Sequence, residues 1–497
     1  MGCTTSSTSS PAGAATAATA TSEPGKPDNA FAAFKTKMEQ HKLSAAAIAA
    51  FKQNFDKLVA GDTGLMPESV IEPATSLPMY ESDIEGKGTS GDALNALLGK
   101  TVVLKLNGGL GTSMGLEKAK SLLLVKNGES FLSLIAKQIK HARKQNAGIK
   151  FILMNSFATS KDSMEALRVC GFADLAEEPD AELMQNSSPK VDAANLTPVS
   201  WPADTELEWC PPGHGDLYAA LLGSGMLDRL VAQGKRYVFV SNADNLGATL
   251  DADLLSYFAE SGKAFLMECC ERTESDKKGG HLAVLKATGR LTLRESAMCP
   301  KEDNEQFQDV GKHRFFNTNN IWLDLVEIQR VMKANGGAMP LPLIKNKKTV
   351  DPRDPASTAV FQLETAMGAA IESFENAGAV CVPRSRFAPV KTTADLFALR
   401  SDAFVITDDF RVVLAPSRKA APVVTLDDKK YKLVDQMEAL VPVPPSLVLC
   451  DRISVAGPVL FTEAGVVVQG TVTFTCTKDA PTKVSAGSYV DTSVDVA

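Results

Sequence analysis

Apolar residues recur every three or four positions near the start of the chain, first as Phe31, Phe34 and Met38, then as Ile48, Phe51, Phe55 and Leu58. That spacing puts each set on one face of a helix, so two amphipathic helices are expected, the second closed by Gly61. Their aromatic faces read as packing surface. From about residue 100 the pattern changes. Residues 101–106 are a short apolar run followed by a glycine-rich turn, and residues 151–154 and 237–240 are two more apolar runs that end in polar loops. Between the first two runs, Ser130 precedes a stripe of Phe131, Leu134, Ile135 and Ile139, which predicts a capped helix. Short buried strands alternating with helices predict a parallel sheet covered by helices. Ligands of such sheets bind outside the carboxyl ends of the strands. A third pattern runs from Ile453 to Phe474, where Val455, Val459, Phe461, Val466, Val468 and Val472 alternate with polar residues and Gly457, Gly465 and Gly470 punctuate them. It predicts tight β-turns and a small β-helix.

The candidate chemistry falls at the strand ends. After the first strand comes Leu106-Asn107-Gly108-Gly109-Leu110-Gly111-Thr112-Ser113-Met114-Gly115, with Lys120 further on. Glycines there let backbone N–H groups approach phosphate oxygens, and Lys120 adds a point charge. Two other nucleotide motifs fail. A dinucleotide fold ends its second strand in an acidic residue, whereas this one ends in Asn155-Ser156. A P-loop needs a glycine where Leu94 stands before Gly99-Lys100-Thr101. After the 237–240 run comes Ser241-Asn242-Ala243-Asp244-Asn245, where Asp244 is either a Mg²⁺ ligand facing phosphates or part of an ordinary Asx turn. His214 lies between two glycines in Pro211-Pro212-Gly213-His214-Gly215, which suggests close backbone approach. The amide-rich stretch Phe316-Asn317-Thr318-Asn319-Asn320 suits sugar hydroxyls, because amides both donate and accept. Arg384 to Lys391 is a basic loop in an acidic protein, and a charge run of this kind is usually solvated surface.

Composition narrows the class. A chain of 497 residues with 44% hydrophobic content exceeds one compact core and suggests several domains. A net charge of -7 leaves no surplus of Lys and Arg for nucleic acid, so anionic substrates would need a local positive cluster. Nine scattered cysteines, without a CxxC pair, suggest reduced thiols in a cytoplasmic protein. No run of eighteen apolar residues predicts a membrane span. Residues 1–30 are rich in Ser, Thr, Ala, Gly and Pro and should be a disordered tail. The tail opens Met1-Gly2-Cys3-Thr4-Thr5-Ser6, which fits N-myristoylation at Gly2 with palmitoylation at Cys3 and would give weak membrane association. A plain flexible extension fits as well. An organellar transit peptide fits less, because the tail has no Arg.

Together these segments resemble the eukaryotic UDP-glucose pyrophosphorylases. The pieces KLNGGLGTSMG, PPGHGDLYAAL, SNADNLGATLD, KKGGHLAV, LRESAMCPKED, FFNTNNIWLDL, LETAMGAAIESFE and VPRSRFAPVKTT occur in family order over residues 105–393. The wording around residues 271–303 is most similar to the kinetoplastid branch. The resemblance implies an α/β architecture: a Rossmann-like nucleotidyltransferase catalytic domain at 96–405, an N-terminal helical domain at 31–95 and a C-terminal β-helix domain at 406–497.

It also implies an enzyme that makes UDP-glucose and pyrophosphate from UTP and glucose 1-phosphate, reversibly, with Mg²⁺. By position, Leu106, Gly108, Gly109, Met154, Gln185 and Gly213 fall on the family's nucleotide-binding residues. His214, Asn242, Gly280, Glu295 and Asn317 match its hexose pocket, Lys120 and Lys391 its phosphate-contacting lysines, and Asp244 its Mg²⁺ ligand. One departure is Glu117, where many members carry Lys, so the charge work is left to Lys120. A uridylyltransferase acting on N-acetylglucosamine 1-phosphate is the nearest rival, and a non-catalytic nucleotide-sugar sensor is a rival of another class. The wording of the Gly-rich loop favours glucose, and the presence of Asp244, Lys120 and Lys391 together speaks against the sensor.

Overall fold

The computed structural model describes residues 27–496. Gly2, Cys3 and most of the expected tail lie outside the described residues. The first helix, α1 (Pro27–Gln40), begins before the expected Phe31, with Pro27 in its first turn, where a missing N–H costs nothing. Helix α2 (Ala45–Val59) is capped by Ser44, whose hydroxyl accepts from Ala47 N–H at 3.2 Å. Phe34, Met38, Phe51, Phe55 and Leu58 of this pair bury against Val191, Leu343 and Leu363, so the aromatic stripes are packing surface.

Ten strands form the central sheet: β1 (Ile71–Pro73), β2 (Thr101–Asn107), β3 (Lys150–Asn155), β4 (Glu182–Met184), β5 (Tyr237–Asn242), β6 (Phe265–Glu271), β7 (His281–Leu285), β8 (Leu291–Arg294), β9 (Phe315–Asp324) and β10 (Ala377–Cys381). Strands β5, β2, β3 and β4 lie side by side and parallel, as the strand–helix alternation predicts. The sheet as a whole is mixed. Strand β9 runs antiparallel to β5 on one side and to β6 on the other, and β6 runs parallel to β10. The expected parallel sheet therefore holds for those four strands and not for the whole, because apolar periodicity carries no information on strand direction. Residues 71–73, inside the stretch expected to be helical, instead form β1 and pair with β7.

Both faces of the parallel strands are buried. Val103, Phe151, Leu153 and Phe239 join one core, while Val102, Leu104, Ile152, Met154, Val238 and Val240 join the other. Alternate residues of a strand point to opposite faces, so only continuous apolar runs can be covered on both sides. Helix α3 (Phe131–Ala142) covers the first face. Its start is a reciprocal cap: Ser130 Oγ accepts from Ser133 N–H at 3.0 Å, and Ser133 Oγ accepts from Ser130 N–H at 2.8 Å.

The C-terminal segment stacks parallel strands β11 (Val423–Leu426), β12 (Ser446–Ala456), β13 (Val466–Thr475), β14 (Gly487–Val490) and β15 (Ser493–Asp495). Ile453, Val455, Val466, Val468, Val472 and Phe474 fill its interior, which is continuous with the core beneath α3. Gly457, Gly465 and Gly470 hold φ of 73°, 93° and 63° at the turns, a region L side chains rarely adopt. This is the β-rich coil expected from the residue 453–474 pattern. No helix among the described residues is long and apolar enough to cross a membrane.

Candidate active site

The carboxyl ends of β2 and β3 are joined by side-chain amides. Asn107 Nδ2 donates to Asn155 Oδ1 at 2.6 Å and to Ser163 Oγ at 2.8 Å. The glycine-rich loop leaves β2 at Gly108, whose carbonyl accepts from Ser156 Oγ at 2.9 Å. A Cβ on Gly108 would stand 2.8 Å from Gln185 Oε1, so a side chain there would push the Gln185 amide aside. Gly111 and Gly115 turn the loop with φ of 69° and 76°. Lys120 N–H then donates back to Gly109 O at 3.1 Å, and the Lys120 side chain crosses to Asp244, with Nζ 2.7 Å from Oδ2.

These groups surround a cavity of about 360 Å³. It is lined by Leu106, Gly108, Gly109, Lys120, Met154, Gln185, Gly213, His214, Asn242 and Asp244, all of them residues singled out from the sequence. Gln185 Nε2 donates to Gly213 O at 3.1 Å, tying the β4 end to the Pro-rich loop. Gly213 has φ of 79°, and a Cβ there would collide with Thr365. Glu117 is exposed, away from this lining.

Gly280, Glu295, Asn317 and Lys391 do not line that cavity. The first three form a neighbouring cluster. Asn317 N–H donates to Gly280 O at 3.1 Å, and the Glu295 carboxylate lies so close to Gly280 that any side chain there would strike it. Asn319 joins the two groups: its N–H donates to Asn317 Oδ1 and its Nδ2 to Asn242 Oδ1, each at 2.8 Å. Lys391 is exposed, with its ammonium 5.5 Å from the Phe387 ring centroid. Its loop nevertheless docks on the Asp244 loop, because Asn245 and Pro389 form an antiparallel bridge.

Burial sets the charge states. Desolvation pulls His214 down to about 4, and its Nδ1 accepts from Met367 N–H at 3.0 Å. The ring is therefore neutral, with its proton on Nε2. Burial raises Asp216 to about 7 despite three hydrogen bonds from Asn186. Lys105, under the Asp244 loop, is pulled down to about 7, first by burial and then by the Arg386 charge. Its Nζ donates to Ser241 Oγ at 2.7 Å and Ala248 O at 2.6 Å. Glu295 is raised by burial, an effect the Lys391 charge opposes.

Among the described residues, no three His, Cys, Asp or Glu side chains converge to hold a metal by themselves. Asp244 is a single carboxylate on the cavity wall, with one oxygen already held by Lys120. That donor set fits Mg²⁺ shared with a bound phosphate, since Mg²⁺ takes one or two carboxylates and completes its shell with phosphate and water oxygens.

Sequence reasoning placed Asn319 and Asn245 inside motifs without giving either a role of its own, and it missed the buried Glu268–Arg386 pair. Asn319 carried a signal only in its amide-rich neighbourhood; its left-handed φ of 62° appears once the chain is folded. Glu268 stands in an apolar strand and Arg386 in a basic loop, and no spacing rule connects them.

A family model described as UTP–glucose-1-phosphate uridylyltransferase matches residues 48–468. The chain is 40% identical over 400 residues to a probable UTP–glucose-1-phosphate uridylyltransferase of Schizosaccharomyces pombe, covering 79% of this chain and 74% of that one. It is 38% identical over 428 residues to the Hordeum vulgare UTP–glucose-1-phosphate uridylyltransferase, covering 85% and 86%. Among solved structures, a UDP-glucose pyrophosphorylase from Leishmania major superposes with a TM-score of 0.88 at 47% identity, covering 94% of this chain and 99% of that one. The Trypanosoma brucei UDP-glucose phosphorylase gives 0.84 at 46%, covering 94% and 99%.

Proposed function

The chain belongs to the UTP–glucose-1-phosphate uridylyltransferase family, which makes it a nucleotidyltransferase, and on that premise we propose the following reaction. It forms UDP-glucose and pyrophosphate from UTP and glucose 1-phosphate by in-line displacement at the α-phosphorus, reversibly and with Mg²⁺. The observation that carries this reading is the Lys120–Asp244 contact of 2.7 Å, which joins the glycine-rich loop to the β5 end across the cavity. That contact supports a reading in which one cation and one carboxylate are available to a triphosphate and its metal ion.

Both reactants are anions, so the work is positioning and neutralisation rather than covalent catalysis. Leu106, Gly108, Gly109, Met154, Gln185 and Gly213 hold the nucleotide, the glycines admitting its phosphates to the backbone. Lys120 exchanges its contact with Asp244 for phosphate oxygens and neutralises charge that develops at the α-phosphorus. Lys391 brings a second ammonium from the facing loop. Asp244 would hold Mg²⁺, which would supply Lewis-acid neutralisation of the phosphate charge. His214, neutral, donates from Nε2 to a substrate oxygen, and Asn242, Gly280, Glu295 and Asn317 hold the hexose. No side chain forms a bond to substrate. The scattered cysteines, with no disulfide pattern, support a cytoplasmic location.

Pyrophosphate release from UTP, measured with a panel of sugar 1-phosphates in Mg²⁺, tests the reading. Release with glucose 1-phosphate well above the other sugars is expected. Preference for N-acetylglucosamine 1-phosphate would replace glucose as the substrate, and no release with any sugar would leave a nucleotide-sugar sensor.

A further inference from the structure

Asn245 follows the candidate metal ligand Asp244 directly in sequence and is 1% exposed. An amide has two N–H donors and an oxygen that accepts twice, and here all four are used. Nδ2 donates to Arg386 O at 3.1 Å and to Asn320 Oδ1 at 3.3 Å. Oδ1 accepts from Ala388 N–H at 3.0 Å and from Gly247 N–H at 3.2 Å. Two of these bonds cross to the backbone of the Arg384–Lys391 loop, and a third stays within the Asp244 loop. Close packing reinforces the joint: a Cβ on Gly247 would collide with Ser385 O and lie 3.0 Å from the Arg386 carbonyl carbon. Val390 N–H approaches Asp244 O at 3.4 Å.

The far side of the joint is anchored in the core. Arg386 makes a bidentate pair with Glu268 of β6, Nε to Oε2 and Nη2 to Oε1, each 2.8 Å. Glu268, 0% exposed, also accepts from Trp322 Nε1 at 2.9 Å and Asn320 Nδ2 at 3.1 Å. A fully hydrogen-bonded buried network of this kind is rigid, because each member left unpaired would keep its full desolvation cost.

We infer that Asn245 is a positioning residue that fixes the separation of Asp244 and Lys391, the two groups proposed to meet the same phosphates from loops that dock on each other. The inference rests on the phosphate roles proposed for Asp244 and Lys391. Asn245 touches no substrate; it acts through the Lys391 loop. Aspartate cannot replace it, because a carboxylate would face the Arg386 carbonyl and the Asn320 oxygen with no donor.

A double-mutant cycle tests this. Misplacing a reacting group by about 1 Å costs on the order of 10²-fold in rate, so Asn245→Ala should lower kcat by roughly 10- to 10²-fold with the KM for UTP changed less than about twofold. Lys391→Ala alone should lower kcat by roughly 10²–10³-fold. The double variant should match Lys391→Ala within about twofold, because no ammonium remains to be misplaced. A merely structural Asn245 would instead multiply its own loss onto that of Lys391→Ala, and that outcome overturns the inference. Wild-type kcat in Lys391→Ala would overturn the reading beneath it, and the inference with it, so the two failures are distinguishable. Circular dichroism confirms folding of each variant. If Asn245→Ala does not fold, Asn245→Ser, which keeps a small hydroxyl against Ala388 N–H, carries the same cycle.

Discussion

A neutral imidazole is unusual equipment for a site proposed to hold phosphates, and at His214 it follows from burial. The ring's value falls from the ordinary 6.5 to about 4, and Met367 N–H occupies Nδ1, so protonation would cost both desolvation and a hydrogen bond. The sign of the pH effect follows. Between about pH 4 and about 6.5 the unfolded chain binds a proton that the folded chain refuses, so this group's contribution to stability rises with pH over that window and is flat above it. His214→Gln should therefore weaken the loss of stability between about pH 6.5 and about pH 4.5, measured by urea denaturation. An unchanged pH slope would mean that His214 protonates in the folded protein as freely as in the unfolded one. Asp216, raised by burial from the ordinary 3.8 to about 7, works in the opposite sense: its contribution to stability falls as pH rises between those two values and is flat above.

At the scale of elements, the best-read piece was helix α3, because a cap is local chemistry. Ser130 and Ser133 each bond the other's backbone N–H, satisfying donors that a helix start leaves open. Ser130→Ala should cost about 1 kcal/mol of stability, seen as a lower urea midpoint with unchanged m-value; no shift would mean water replaces the cap. The strand-end loops were legible for the same reason: Gly108, Gly213 and Asp244 announce themselves by residue type beside an apolar run. Strand β9 was not. Its first half reads as an amide-rich polar stretch, yet all ten residues are strand. Asn320 is buried and Asn319 half-buried because their amides bond to β5, β6 and the Arg384–Lys391 loop, an arrangement that exists only after long-range pairing. The Glu268–Arg386 pair was hidden likewise, 118 residues apart. Lys391 lay between: its loop was identified, but its distance from the Lys120 cavity became visible only when the loop docked on Asn245.

At the scale of the whole molecule, the C-terminal segment reaches the glycine-rich loop. Gly115, at φ of 76°, packs beneath Leu433, where a Cβ would stand only 3.1 Å from Leu433 Cδ2. Met114, the preceding residue, is buried in the same continuous core as Tyr431, Val434, Met437 and the interior valines of the β-coil. The coil therefore backs the loop that is proposed to receive UTP phosphates, although it contributes no side chain to the cavity lining. A loop held only by its own turns would be free to open, whereas one pressed against a rigid neighbour is pre-organised for its ligand. Leu433→Ala removes that backing. Losing roughly 1 kcal/mol of apolar contact should raise the KM for UTP about fivefold, with kcat altered less than about twofold. Val472→Ala, deep in the coil and away from the loop, is the companion variant. It should lower the melting temperature by more than Leu433→Ala does and leave the KM for UTP unchanged. If both variants shift only the melting temperature, the coil is an independent stabilising unit and the Leu433–Gly115 contact does not bear on nucleotide binding. If Leu433→Ala alone raises the KM, the loop that holds the phosphates is shaped from behind by a segment far along the chain.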